Sequence, residues 1–447
     1  MVSSINTSAK HILTAAAHPL AGEPTDYDAL MDRIGDAQIV LIGEASHGTH
    51  DFYYERAEIT KRLIAEKGFT AVAVEADWPD AYRVNRFVRG VSDDQSGEKA
   101  LANFRRFPTW MWRNTDVLRF LMWLQQYNDS LSPAATRVGF YGLDLYSMYS
   151  SIDAVIHYLD SVDPDAAQRA RQRYSCFDHF GEDSQEYGYA ASLNLSESCE
   201  DEAVSQLLDL QQRIADYAER DGRIPEDEHF YAEQNARLVT NAEEYYRNMF
   251  RGRVSTWNLR DEYMAETLNE LIDYLGQTSG TPQKVVVWAH NSHLGDARAT
   301  SMGRRGELNV GQLVRSQYGN QAISIGFTTY TGTVAAASTW GGPVEMKRVR
   351  PGLADSYEAL FHDVDHRRFM LLMDVDQDVA QLLQPARMER AIGVIYRPET
   401  ERASHYFQAE LPRQFDVIIH IDNSRAVEPL ELAQPDTAEP ETFPSAL

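Results

Sequence analysis

Short apolar runs recur along this chain without the alternation of apolar and polar residues that a half-exposed strand shows. They are "IVLIGE" ending at Glu44, "AVAVEAD" at Asp77, "VGFYGLD" at Asp144 and "VVVWAH" at His290, then "AISIGFTTY", "FMLLMDV", "IGVIYR" and "VIIHID". A strand apolar at every position is covered on both faces, and most of these runs are separated by stretches with helical periodicity. The pattern predicts an α/β fold: a largely parallel β-sheet flanked by helices.

One region breaks the alternation. From about residue 147 to 280 no run reads as a strand, whereas "ARLVTNAEEYYRNMF" and "NLRDEYMAETLNELIDYL" carry apolar residues at spacings of three and four. We read 147–280 as an inserted all-helical lobe capping the strand C-terminal edge, with 1–146 and 281–425 forming the α/β core. Ser196 is a candidate N-cap in "SLNLSESCEDEAVSQLLDL", and "RDGRIPEDE" (220–228) and "LGQTSGTPQ" (275–283) read as loops. The acidic tail 426–447 reads as flexible. At 447 residues, one large domain with an insertion or two closely joined domains is expected.

Composition bounds the partners. A formal net charge of −25, from 67 acidic and 42 basic residues, makes nucleic acid or anionic membrane a poor partner over most of the surface. Only Cys176 and Cys199 occur, too few for a disulfide framework or a four-cysteine metal site, so a reducing compartment is expected. The N-terminal apolar run is too short for a secretory core, and no window approaches the roughly 18 apolar residues of a membrane span. The chain reads as cytoplasmic. Nothing in it specifies an oligomeric state.

The chemistry is concentrated where the runs end. Glu44 is followed by His47 and His50; Glu75 and Asp77 close the next run, Asp144 the third, and His290 with His293 the fourth. In open parallel sheets, ligands bind in the crevice outside the strand carboxyl ends. One acidic residue after a strand is usually a helix cap; four strands loaded alike point to a polar active cleft. If a helix starts near Ser46, His47 falls in its first turn, within reach of Glu44. A carboxylate beside an imidazole fixes its tautomer and raises its basicity, which suits a general base acting on water. Arg56, further along the same helix, is placed to hold a carboxylate such as Glu44 or to polarise a substrate carbonyl; otherwise it is a solvated helix arginine. His290 and His293 have the spacing to donate to an oxyanion or to ligate a metal.

Other chemistries use the same residues. "EASHG" resembles half of a nucleophile elbow, but Glu44 stands where that pattern needs glycine, and Ser46 adjoins His47 too closely for a relay. His47, His50, Glu75, His290 and His293 have the ligand types of a metal centre without a tight ligand signature. No glycine-rich nucleotide motif occurs.

Taken together, "GEASHGTHDFYYERAEITKRLIAEKGFTAVAVEADWPDAYRVNRFVRG", "FPTWMWRNTDV", "GLDLYS", "WNLRDEYMAETL", "VVVWAHNSHLGD" and "SHYF" resemble the erythromycin esterase family, in order, from about residue 37 to 425. The resemblance implies an α/β core under a helical lobe with the substrate cleft between them. It implies hydrolysis of a macrolactone such as erythromycin by water, without a covalent acyl-enzyme and without a required metal or cofactor. On it, His47 is the general base, Glu44 and Glu75 its partner glutamates, and His290, His293 and Arg56 the remaining family positions. Arg56 and His290 are then expected to stabilise the oxyanion and His293 to hold substrate. It also makes Trp110 and Trp112 of "PTWMW" candidates for the cleft wall, with Asp144 and His405 of "SHYF" as further substrate contacts. A non-catalytic protein binding a macrolide or haem, and a metal-assisted hydrolase, are the competing readings.

Overall fold

The computed structural model describes residues 2–430 apart from 133–134, 181–183, 193–197, 214–225, 251–252 and 374–376. Ser196, most of the 220–228 segment and nearly all of the tail lie outside the described residues. Eleven strands are named in chain order: β1 (His18–Pro19), β2 (Ile39–Ile42), β3 (Ala71–Asp77), β4 (Gly139–Asp144), β5 (Val285–Trp288), β6 (Ala322–Ala336), β7 (Glu345–Val349), β8 (Arg368–Leu372), β9 (Arg387–Arg390), β10 (Tyr406–Ala409) and β11 (Val417–Ser424). Nine form one sheet in the order β1-β8-β11-β6-β2-β5-β3-β4, with β7 on β6. The pairs from β11 to β4 are parallel, and β1, β7 and β8 add antiparallel edges.

The continuous apolar runs have a direct cause. In β2, Val40 and Ile42 enter one core cluster while Ile39 and Leu41 enter another; in β5, Val286 and Trp288 part from Val285 and Val287 in the same way. Successive side chains thus serve two buried faces, and a polar residue at any of these positions would be buried.

Between β4 and β5 the named elements are all helical, including Met148–Val162, Pro164–Tyr174, Glu200–Gln212, Glu226–Asn248 and Arg253–Ser279. Their apolar residues, among them Met148, Leu210, Val239 and Leu268, belong to the same cluster as Ile39 and Val287. The lobe therefore shares the core of one sheet face instead of closing around a core of its own.

Four expectations are corrected. Cys176 and Cys199 form a disulfide, with Cα atoms 6.0 Å apart, joining two parts of the lobe that the 23-residue separation hides in sequence. "IGVIYR" is not a strand: Ile392 and Ile395 make only isolated bridges, to Ser46 and Ala337, just past the ends of the neighbouring strands β2 and β6, where the ladder has stopped. The helix after β2 begins at His50, not near Ser46, since His47 and Gly48 form a turn ahead of the Thr49 cap. The 275–283 loop is shorter than expected, as the helix runs to Ser279.

Candidate active site

A cavity of about 130 Å³ opens where β3, β4 and β5 end under the helical lobe. His47, Glu75, Asp144, His290 and His293 reach it from the sheet side, and Tyr245, Trp257 and Arg260 from the lobe. Trp112, Phe107 and Trp340 add aromatic wall.

The turn after β2 sets His47. Its backbone N–H donates to Ile392 O (3.0 Å), and the Gly48 carbonyl accepts from Ala335 N–H (3.0 Å). Gly48 has φ +68°, and a Cβ there would meet the Ala335 carbonyl oxygen at 2.2 Å, so glycine is required by both conformation and contact. The turn directs His47 Nδ1 at Glu44 Oε1, 2.8 Å away. The other Glu44 oxygen faces Arg56 Nη2 at 3.2 Å. Arg56 is buried, with its guanidinium 4.3 Å from the Tyr53 ring centroid and 5.1 Å from that of Trp288.

His290 lies beside His47, with ring centroids 4.9 Å apart. Its Nδ1 accepts the Ser292 backbone N–H (3.2 Å) as the N-cap of the short helix Asn291–Leu294. Burial, reinforced by the neighbouring His47, holds its pKa well below the usual histidine range, so the ring is neutral. With Nδ1 accepting, the proton sits on Nε2, a buried N–H that meets no well-aligned acceptor among the described residues, although the Ala45 carbonyl also acts on the ring. A neutral imidazole N–H beside a candidate base is suited to receive developing negative charge.

Glu75 ties the histidines to the lobe. Its Oε2 accepts the His290 backbone N–H (2.8 Å) and its Oε1 accepts from Arg260 Nη2 (2.7 Å). Burial opposes its ionisation, but His293, Arg260 and His47 outweigh that and hold the carboxyl well below the ordinary range. Arg260 also grips Asp144 through Nε (3.0 Å) and Nη2 (2.6 Å). At the next strand position, Asp77 pairs with Arg106.

Not every expected residue reaches the cavity. Arg56 does not line the cavity: it stands behind Glu44, against the Tyr53 and Trp288 rings, and takes the carboxylate-holding one of the two roles expected of it. Trp110 packs in the core against Phe107 and is not part of the cavity lining, whereas Trp112 is. His405 is buried elsewhere, its Nε2 accepting Arg397 N–H (3.1 Å) and its ring 5.2 Å from that of Tyr396. His50 pairs with Asp116 instead of the cavity (2.8 Å). Among the described residues, no three His, Cys, Asp or Glu side chains are grouped to hold a metal ion.

Sequence reading missed Arg260, Asp261, Trp257, Arg106 and Tyr245. An Arg-Asp pair on an amphipathic helix looks like any solvated pair. For Trp257, Arg260 and Asp261 the signal was the motif "WNLRDEYMAETL", which carried the resemblance but suggested no role.

With this site on a sheet of this order, the chain belongs to the erythromycin esterase family, whose model, described as Erythromycin esterase, matches residues 64–424. That segment begins after the Glu44–His47 turn. The Escherichia coli protein named erythromycin esterase type II is 24% identical over 446 residues, covering 94% of this chain and 97% of the relative. Putative hydrolase YbfO of Bacillus subtilis (strain 168) is 21% identical over 409 residues, covering 86% and 83%. These names indicate an esterase-like hydrolase.

Solved structures share the fold. A succinoglycan biosynthesis protein superposes with a TM-score of 0.76 at 22% identity, covering 96% of this chain and 99% of that one. A mutant of the erythromycin esterase EreC in its open conformation gives 0.64 at 17% identity, covering 92% and 96%. Among the described residues no helix is long and apolar enough to cross a membrane.

Proposed function

We propose that this protein hydrolyses a carboxylic ester by general-base activation of water, with a macrolactone such as erythromycin as the candidate substrate. The observation that carries the reading is the pairing, on one cavity, of His47 anchored to Glu44 at 2.8 Å with a neutral His290 at a ring-centroid distance of 4.9 Å. His47 Nε2 takes a proton from water as the water oxygen bonds to the carbonyl carbon. The carbonyl oxygen becomes an oxyanion and accepts from His290 Nε2–H. The intermediate then collapses, the ester C–O bond breaks, and the alkoxide leaves with the proton held by His47, giving acid and alcohol. Glu44 keeps the His47 tautomer, and Arg56 keeps Glu44 in place from behind.

The name of the Escherichia coli relative and the aromatic cavity wall support a macrolide; ring opening would inactivate such an antibiotic. The cavity volume favours a second reading. At about 130 Å³ it is smaller than the roughly 300–1,000 Å³ typical of drug-sized ligands, so a compact ester fits the arrangement described and a macrolide requires the walls to part. Mass spectrometry of erythromycin, simple esters and small lactones after incubation separates these readings, because hydrolysis adds one water and mere binding adds none. Binding without turnover across that panel would remove the enzyme reading.

A further inference from the structure

We propose that Trp257, Arg260 and Asp261, on one turn of the helix Arg253–Ser279, are positioning residues that grip His293 so that it takes up and releases a proton without moving. The ring is held on three sides. Trp257 stacks on its face, with centroids 4.5 Å apart and planes 7° from parallel. Asp261 faces Nδ1 with both carboxylate oxygens, at 2.9 and 3.0 Å. Arg260 Nη1 lies 3.0 Å from Nε2. The turn is itself anchored: Trp257 Nε1 donates to Leu308 O (2.7 Å), and Asp261 Oδ1 accepts Val310 N–H (3.0 Å).

The two sides of the ring differ in kind. Nδ1 meets only a carboxylate acceptor, so it carries a proton in either state of the ring. Nε2 meets both a donor and an acceptor. In the neutral ring it accepts from Arg260 Nη1; in the charged ring its N–H faces Glu75 Oε1 at 3.4 Å. Each protonation state therefore finds a partner for Nε2 without turning the ring; on protonation only the Arg260 guanidinium, then donor against donor at 3.0 Å, has to draw back. The charged groups around the ring are Asp261 and Arg260 from the lobe helix and Glu75 from β3, with His290 one turn away on its own segment. Burial disfavours the charged ring, but Asp261 and Glu75 outweigh it and raise the pKa above the usual value.

The inference rests on the ester-hydrolase reading for its effect on rate, but not for its structural content. ¹H–¹⁵N spectra of histidine-labelled protein, with His293→Gln for assignment, read the ring directly. They should show a proton on Nδ1 of His293 and titration above the ordinary histidine range. In Asp261→Asn the titration should fall, kcat for the best ester should drop about 10- to 100-fold with little change in KM, and Asp261→Glu should recover part of both. A wild-type His293 protonated on Nε2 alone, or titrating at or below the ordinary value, overturns the proposal whether or not the variants fold. Unchanged kcat and pH profile in a folded Asp261→Asn overturn it as well. A wild type that hydrolyses no ester, with the spectra as expected, would instead count against the esterase reading and leave the grip on His293 standing.

Discussion

Glu44 and His47 are joined by a 2.8 Å hydrogen bond between Oε1 and Nδ1, and this bond leaves the opposite ring nitrogen of His47 for the cavity. Glu44 is 1% exposed and its second oxygen faces Arg56, which is also 1% exposed. The base, its carboxylate and the cation behind it therefore form a line running inward from the cavity, with only the imidazole at the wall.

That line makes Arg56 a supporting residue. Arg56→Met removes the cation beside Glu44 Oε2 and leaves that buried carboxylate held by His47 alone, and breaking a buried ion pair in this way typically costs about 3–5 kcal/mol. The variant should melt several degrees lower, and any loss of turnover should accompany that. Calorimetry beside steady-state kinetics checks it; full stability with abolished turnover would put Arg56 at the reacting atoms instead.

His290 should behave in the opposite way. As the donor proposed for the oxyanion, its replacement by alanine should lower kcat about 10²- to 10³-fold, with KM changed far less. An unchanged kcat in a folded variant would assign the oxyanion to another group.

A pH effect on stability follows from Glu389, which is fully buried near Glu358. Burial, together with the charge of Glu358, pushes its pKa from 4.5 up to about 8. Between those values the native state keeps a proton that the unfolded chain releases, so stability from this group is complete below pH 4.5 and lost as the pH rises toward 8. Glu389→Gln, neutral throughout, should melt higher than the wild type at pH 8 and lose that advantage near pH 5. Melting curves at the two pH values decide it.

The Cys176–Cys199 bridge lies within the lobe, apart from the cavity lining. Closing a loop of this length typically contributes about 3 kcal/mol by restricting the unfolded chain. Cys176→Ser should lower the melting temperature and leave ester turnover at low temperature intact, as thermal denaturation with and without reductant would show.

Much of the sheet was legible because burial on both faces leaves an unmistakable run, as in Ile39–Ile42 and Val285–Trp288. The same logic misled at "IGVIYR": Ile392 and Tyr396 are apolar because they pack in a small cluster with Val334 and Val349, not because they pair in a sheet. Residues at strand ends were legible as site candidates since the topology brings them to one edge. Arg56 was visible too, but on which side of Glu44 it would lie depends on the helix starting at His50, which the serine at 46 disguised. Arg260 and Asp261 stayed hidden because their partners, Glu75, Asp144 and His293, are distant in sequence. The disulfide was hidden for the same reason.

The central claim is that His47 activates water for direct attack on an ester carbonyl. It is tested most directly by a single turnover in ¹⁸O-labelled water with enzyme in excess, read by mass spectrometry of product and protein, for the wild type and His47→Ala. The account predicts ¹⁸O in the product acid from the first turnover, no acyl adduct on the protein, and a loss of about 10²-fold or more in His47→Ala while the fold is retained. Unlabelled product acid, a trapped acyl-enzyme, or a folded His47→Ala that turns over at the wild-type rate would contradict it.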